Sequence, residues 1–132
     1  MERLNAWAPI ALAVLRIVTA LLFIEHGTQK LFDFPPGERG PVGFQLSMIG
    51  VAGMLELFGG LLILLGLFTR PVAFLLSGEM AVAYWTAHAP QSTFPVLNGG
   101  DAAILFCFVF LYLVFSGPGA LSLDGTIIRR RA

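Results

Sequence analysis

The sequence predicts an all-α integral membrane protein, a bundle of four transmembrane helices with both termini in the cytoplasm. Three observations predict it: four long apolar stretches, a shortage of charge, and an uneven distribution of basic residues among the loops. A helix crossing ~30 Å of hydrocarbon takes about 20 mostly apolar residues. The stretches Ala8 to Leu31, Phe44 to Phe68, Pro71 to His88 and Gly100 to Ser116 meet or approach that length. Of 132 residues, 57% are hydrophobic and 12% charged, with a mean hydropathy of +0.83. A soluble domain carries about 25% charged residues, which it needs to cover its surface. The length allows one domain, expected over residues 1–132.

The first stretch, Ala8 to Leu31, carries Arg16 and lacks a small-residue cleavage site before the next segment, so it is expected to remain as a span. Phe34-Pro35-Pro36-Gly37 and Gly40-Pro41 then break the helix. The second stretch, Phe44 to Phe68, ends at Thr69-Arg70-Pro71, read as a tight turn with proline near the first position of the third helix. A polar loop from Ala89-Pro90 to Pro95-Val96 follows. Asn98 is expected to cap the fourth helix, with Asp101 three residues on, and Gly117-Pro118-Gly119 to end it. Arg3, Arg70, Arg129, Arg130 and Arg131 fall on one side of such a bundle, Lys30 and Arg39 on the other. Basic residues favour the cytoplasmic side, so both termini are expected inside.

Zero net charge gives no footprint for nucleic acid, and none is expected as a partner. The single cysteine, Cys107, excludes an internal disulfide, a C-x-x-C redox pair and a thiolate cluster within one chain. There is no GxGxxG after a strand, no Walker A sequence and no H-E-x-x-H. Continuous rather than alternating apolar runs exclude a β-barrel.

Ionisable groups at bilayer depth cost at least ~2.5–3.5 kcal/mol each on insertion scales. At ~1.5 Å per residue, Arg16 and Glu79 lie about 12 Å from the cytoplasmic end and Glu56 about 18 Å. These three are expected to form an inner layer, one arginine facing two carboxylates, with one glutamate protonated. The alternative is a buried ion cluster that only fixes helix register. Glu25, His26, Lys30, His88, Asn98 and Asp101 fall near the outer edge and suggest the lining of an outward pocket. Nine residues separate Arg16 from Glu25, and Glu79 from His88, about half a turn out of phase. Either the helices kink, for instance at Gly27 or Gly78, or the layers serve different seams. Two histidines at matched depth would permit haem or a metal, but neither sits in a ligand motif; no metal site is expected and the protein should be colourless. Gly53, Glu56 and Gly60 share one face of the second helix, which brings Glu56 into a close helix contact. Tyr84, Trp85 and Tyr112 are read as interface anchors or stacking surfaces.

These residues together resemble the DoxX family. The pattern runs from Arg16 and His26-Gly27-Thr28-Gln29-Lys30 through Glu56-Leu57-Phe58-Gly59-Gly60 and Gly66-Leu67-Phe68-Thr69-Arg70. It continues through Met80 to His88, Asn98-Gly99-Gly100-Asp101, Gly117-Pro118-Gly119 and Ser122-Leu123-Asp124. The family usually has glutamate where Asp101 stands. Members include a subunit of an archaeal thiosulfate:quinone oxidoreductase and a component of a mycobacterial redox complex. The resemblance implies a multi-pass protein of the bacterial inner membrane, a quinone-associated oxidoreductase component that binds a small or quinone-like ligand between its helices. The catalytic residues and whether the chain is itself an enzyme stay open. No intrinsic cofactor is expected, a quinone is the candidate ligand, and electrons would come from a partner or pass between bound substrates. Protein partners in a redox complex and self-association are further expectations. The alternative is a non-catalytic membrane subunit or assembly factor whose buried charges specify packing, and proton-coupled transport is a third reading.

Overall fold

A computed structural model of the chain describes residues 1–131, and they are helical, with no strand among them. The expected single domain runs on to Ala132, which lies outside the described residues. After a single turn, α1 (Glu2–Asn5), comes the longest helix, α2 (Ala8–Phe32), with proline in its first turn, where no N–H is missed. It ends at Asp33 in the left-handed conformation, and the Asp33 carboxylate accepts from Gly37 N at 2.8 Å.

The second helical run is α3 (Met48–Met54), a π-helical turn (Leu55–Gly59) and α4 (Gly60–Leu65). It begins four residues later than Phe44, because Ser47 is extended and its hydroxyl takes Gly50 N at 3.0 Å, a capping bond that sets the first turn. Gly66 (φ 65°) stops the run. The third run, α5 (Thr69–Ala83), starts before Pro71 rather than at it, followed by a π-helical turn (Tyr84–His88) and a 3-10 turn (Ala89–Gln91). Its start is set from far along the chain: the Asp124 carboxylate accepts from Phe68 N at 2.8 Å and Thr69 N at 2.9 Å. A one-turn helix, α6 (Pro95–Asn98), precedes α7 (Asp101–Ser116). Gly100, not Asn98, is the capping residue of α7; the Asn98 side-chain oxygen instead takes Gly100 N at 2.8 Å. Gly117 (φ 73°) ends α7, and the Arg70 guanidinium donates to its last carbonyls, Val114 O at 2.7 Å and Phe115 O at 2.6 Å. A C-terminal helix with no counterpart in the sequence reading, α8 (Leu123–Arg131), closes the described chain.

Helix α2 packs along the α3–α4 run, and α5 packs along α7. The first contact is close because it is built on small residues. A methyl group added at Gly27 would lie 2.6 Å from Leu57 N and 2.9 Å from Gly53 O, so only glycine fits. The core at one level comprises Ala20, Phe23, Ile63, Ala73, Leu76, Phe110 and Leu113, none with any exposure. Phe23 stands edge-on to Phe106 and Phe110, with centroids 5.2 and 4.8 Å away. Ala8–Phe32 and Met48–Leu65 are long and apolar enough to cross a membrane. Large apolar side chains point outward on all four runs, among them Leu21, Phe58, Phe74 and Phe108.

Candidate functional site

The polar centre of the molecule joins α2, the first π turn and α5. Lys30 Nζ, from the last turns of α2, lies 2.9 and 2.7 Å from the two carboxylate oxygens of Glu56. The Glu56 side chain is 3% exposed and that of Lys30 24%, so the pair has a buried end and an open one. Glu79 brings its carboxyl group within hydrogen-bonding reach of Glu56, and with both acids ionised the two buried Glu79 oxygens have no donor. Orphaned buried oxygens are rare, because each forfeits its water without replacement. Three ionisable groups thus meet, two acids and one base. Glu56 lies within a π turn, a local widening often found at functional sites.

Glu56 and Glu79 meet as the depth count placed them, but Arg16 does not join them. Arg16 is fully buried at the opposite end, donating to Ile63 O at 3.5 Å, Ala120 O at 3.3 Å and Leu121 O at 2.9 Å. Two physical reasons account for this. Helix α2 overhangs the end of α4, so Arg16 is level with Gly66, whose hydrogen faces the guanidinium where a methyl group would collide with it. Side chains on a helix also lean toward its N-terminus, which sends Arg16 one way along the antiparallel pair and Glu56 the other. The same lean brings Lys30 inward to Glu56, so the residue assigned to the outer edge supplies the counter-charge expected of Arg16. The nearest acid to Arg16 is Asp124.

The outer residues divide further. His88 Nδ1 is 3.0 Å from Asn98 O, its ring stacks on Tyr84, and Asn98 Nδ2 donates to Ser92 O at 2.9 Å and Tyr84 Oη at 3.3 Å. Asn98 is buried, and this cluster ties the 89–100 loop to the second π turn. His26 is exposed and edge-on to Phe106, 5.7 Å between centroids. Glu25 and Asp101 are also exposed. The single outward pocket lined by all six residues is therefore not formed. Helix α2 runs unbroken through Gly27 and α5 through Gly78. The phase between Glu79 and His88 is altered instead by the π turn at Tyr84–His88, and the charged groups serve separate seams. Among the described residues, no group of three His, Cys, Asp or Glu side chains is placed to hold a metal.

Two hollows lie on these helices, and Lys30 lines the first of them. One, about 300 Å³, is lined by Gln29, Lys30, Asp33 and Gly37–Gly40 and opens beside the Lys30 arm. The other, about 460 Å³ and almost wholly apolar, runs between the second run and α5 past Leu55, Phe58, Gly59 and Leu76. The partners of Asp124, within Ser122-Leu123-Asp124, do not follow from the sequence pattern. The usable signal was an acid just beyond the last long apolar stretch, a position from which it can cap a neighbouring helix start.

A family model described as DoxX matches residues 11–89. An uncharacterized protein of Haemophilus influenzae is 46% identical over 136 residues, covering 98% of this chain and 100% of the relative. The inner membrane protein YphA of Escherichia coli is 31% identical, covering 91% of this chain and 92% of its own. A putative oxidoreductase, CatD of Bacillus subtilis, is 26% identical over 96% and 93% of the two chains. No solved structure gives a significant match.

Proposed function

This chain belongs to the DoxX family, whose relatives here include membrane proteins, and on that premise we propose a multi-pass protein of a bacterial inner membrane. In this reading all four helical runs cross the bilayer, with the termini, Arg70 and the arginines of α8 inside. The exposed apolar side chains of α5 and α7, such as Phe74, Val82, Leu105 and Phe115, support spans beyond the two that length alone supports. In water each would cost free energy in proportion to its apolar area; in lipid it costs nothing. Although α7 has only 16 residues, about 24 Å of helix, it suits an upright span in a locally thinned bilayer.

The functional reading is a quinone-associated oxidoreductase component that binds a small or quinone-like ligand at Lys30, Glu56 and Glu79. The observation that carries it is the pair of partnerless, buried Glu79 oxygens beside the Lys30–Glu56 pair. A protonated carboxyl there would donate to a ligand carbonyl. Reduction of a quinone by two electrons consumes two protons, one at each oxygen; with Lys30 paired to Glu56, the two acids would hold one of these, and the second would come from water at the Lys30 opening. Electrons would be supplied by a partner or a second substrate. The apolar hollow lies on the same two runs as the acids and suits an isoprenoid tail. The relative printed as a putative oxidoreductase is consistent with this class.

The test is titration of a quinone analogue into the purified protein and into Glu56→Gln and Glu79→Gln, nearly isosteric changes that keep the packing. Weakened binding in folded, monodisperse variants is the expected result. Full binding in both would leave the non-catalytic subunit as the reading, with the buried charges serving to hold the helices in register.

A further inference from the structure

The surroundings of Glu56 and Glu79 differ sharply in the two directions along the helices. Toward the N-terminal end of α2 lie the apolar side chains of Phe23, Ile63, Leu76, Phe110 and Leu113, all without exposure; of the buried polar groups on that side, Ser77 donates its hydroxyl to Cys107 O at 2.8 Å and Thr19 stands one turn from Arg16. Beyond them Arg16 spends its guanidinium on backbone carbonyls. Close-packed apolar layers hold no water, because a water molecule needs two or more polar partners to stay. Toward the other end the polar contacts continue: Glu79 to Glu56, Glu56 to Lys30, and the partly exposed Lys30 arm to the hollow lined by Gln29, Asp33 and Gly37–Gly40.

Charge points the same way. Two carboxylates against one ammonium leave one negative charge in a site that water does not reach, where a lone charge costs several kcal/mol. One proton removes that charge and gives the Glu79 oxygens the donor they lack. The charged groups facing the pair are Lys30 from α2 and the two acids themselves, from the first π turn and α5. Helix α7 presents no charged side chain to it, since its single acid, Asp101, is exposed at its start. Asp33, Glu38 and Arg39 line the hollow beyond, and His26 lies near Lys30.

We propose that Glu56 and Glu79 share one exchangeable proton, loaded and released only through the Lys30 hollow, on the side of the membrane that carries the 33–43 loop. This deepens the ligand-site reading and rests on its four-span arrangement. The step is simple: hydronium in the hollow gives its proton to a carboxylate oxygen, one O–H bond forms as another breaks, and no electrons move. Lys30 stands in the path, and its swing away from Glu56 opens it.

Dicyclohexylcarbodiimide tests this, because it enters lipid and adds covalently to protonated carboxyl groups. Right-side-out and inverted bacterial membrane vesicles holding the full chain are treated while the pH of one compartment is stepped and the other held. Intact-mass spectrometry counts adducts. One adduct per chain is expected, its rate falling about tenfold per pH unit past its midpoint as the compartment facing the 33–43 loop is made alkaline. Changing the pH of the other compartment should leave the rate unchanged. Glu79→Gln should take no adduct, because the remaining acid is neutralised by Lys30. A rate that follows the opposite compartment or both, or an absence of adduct at every pH, overturns the proposal, and the parent chain alone suffices for those outcomes. No ligand is used, so failure here is separate from failure of quinone-analogue binding, and the loop's compartment is fixed independently by reporter fusions.

Discussion

Replacing Lys30 with methionine removes the one cation that faces Glu56 and Glu79 while keeping most of the side-chain volume. Lys30 Nζ bonds both Glu56 oxygens at 2.9 and 2.7 Å, with the acid 3% and the lysine 24% exposed. Breaking a buried pair from one side costs ~3–5 kcal/mol, chiefly because the surviving charge has no partner. The partly open lysine end places the cost at the lower limit, about 3 kcal/mol. At the size of this chain, that corresponds to a fall of roughly 10 °C in apparent melting temperature. Adding Glu56→Gln and Glu79→Gln to Lys30→Met removes the uncompensated charge and should restore most of the loss, since replacing all members of a buried cluster is often neutral. The assay is thermal unfolding in one mild detergent, followed by circular dichroism or by loss of the monodisperse gel-filtration peak. A Lys30→Met protein as stable as the parent, or one that the glutamine changes do not rescue, refutes the pairing.

Arg16→Leu should also destabilise strongly, because hydrogen bonds from a charged donor contribute ~1.5–3 kcal/mol each and three carbonyls lose theirs. Here Glu56→Gln with Glu79→Gln should give no rescue, and a rescue in the same melting assay would place Arg16 back beside the acids. Asp124→Ala removes the acceptor for Phe68 N and Thr69 N and should cost about 1–2 kcal/mol, read as a lower melting temperature with unchanged helix content; no loss would mean that the C-terminal segment does not hold the start of α5. A reporter active only in the cytoplasm should work when fused after residue 132 and fail when fused after Gln91, and the reverse pattern would invert the topology.

The all-helical fold and the two long spans, Ala8–Phe32 and Met48–Leu65, were legible because a run of apolar residues long enough to cross a bilayer is a coarse signal that neighbouring structure cannot erase. The meeting of Glu56 and Glu79 was legible for a related reason: the short Gly66–Phe68 turn fixes the register of the two runs it joins. No such turn joins α2 to α3. Between them lies the long Asp33–Ser47 segment, so the stagger that sets Arg16 against Gly66 and Lys30 against Glu56 has no counterpart in local sequence. Counting Cα depth also ignores the lean of side chains along the helix, which for arms as long as arginine and lysine decided both partners. The two π turns left no trace in hydrophobic spacing. Asp124 acts on Phe68 and Thr69 from 56 and 55 residues along the chain, and α8 carries too few apolar residues to register as an element before its contacts are known.

A ligand held at Lys30, Glu56 and Glu79 should survive purification in mild detergent and be seen by native mass spectrometry. One small molecule should be retained per chain in the parent, released on activation, and lost in folded Glu79→Gln at the same subunit number. A parent at its bare polypeptide mass, or an identical adduct on Glu79→Gln, would contradict a ligand at this centre.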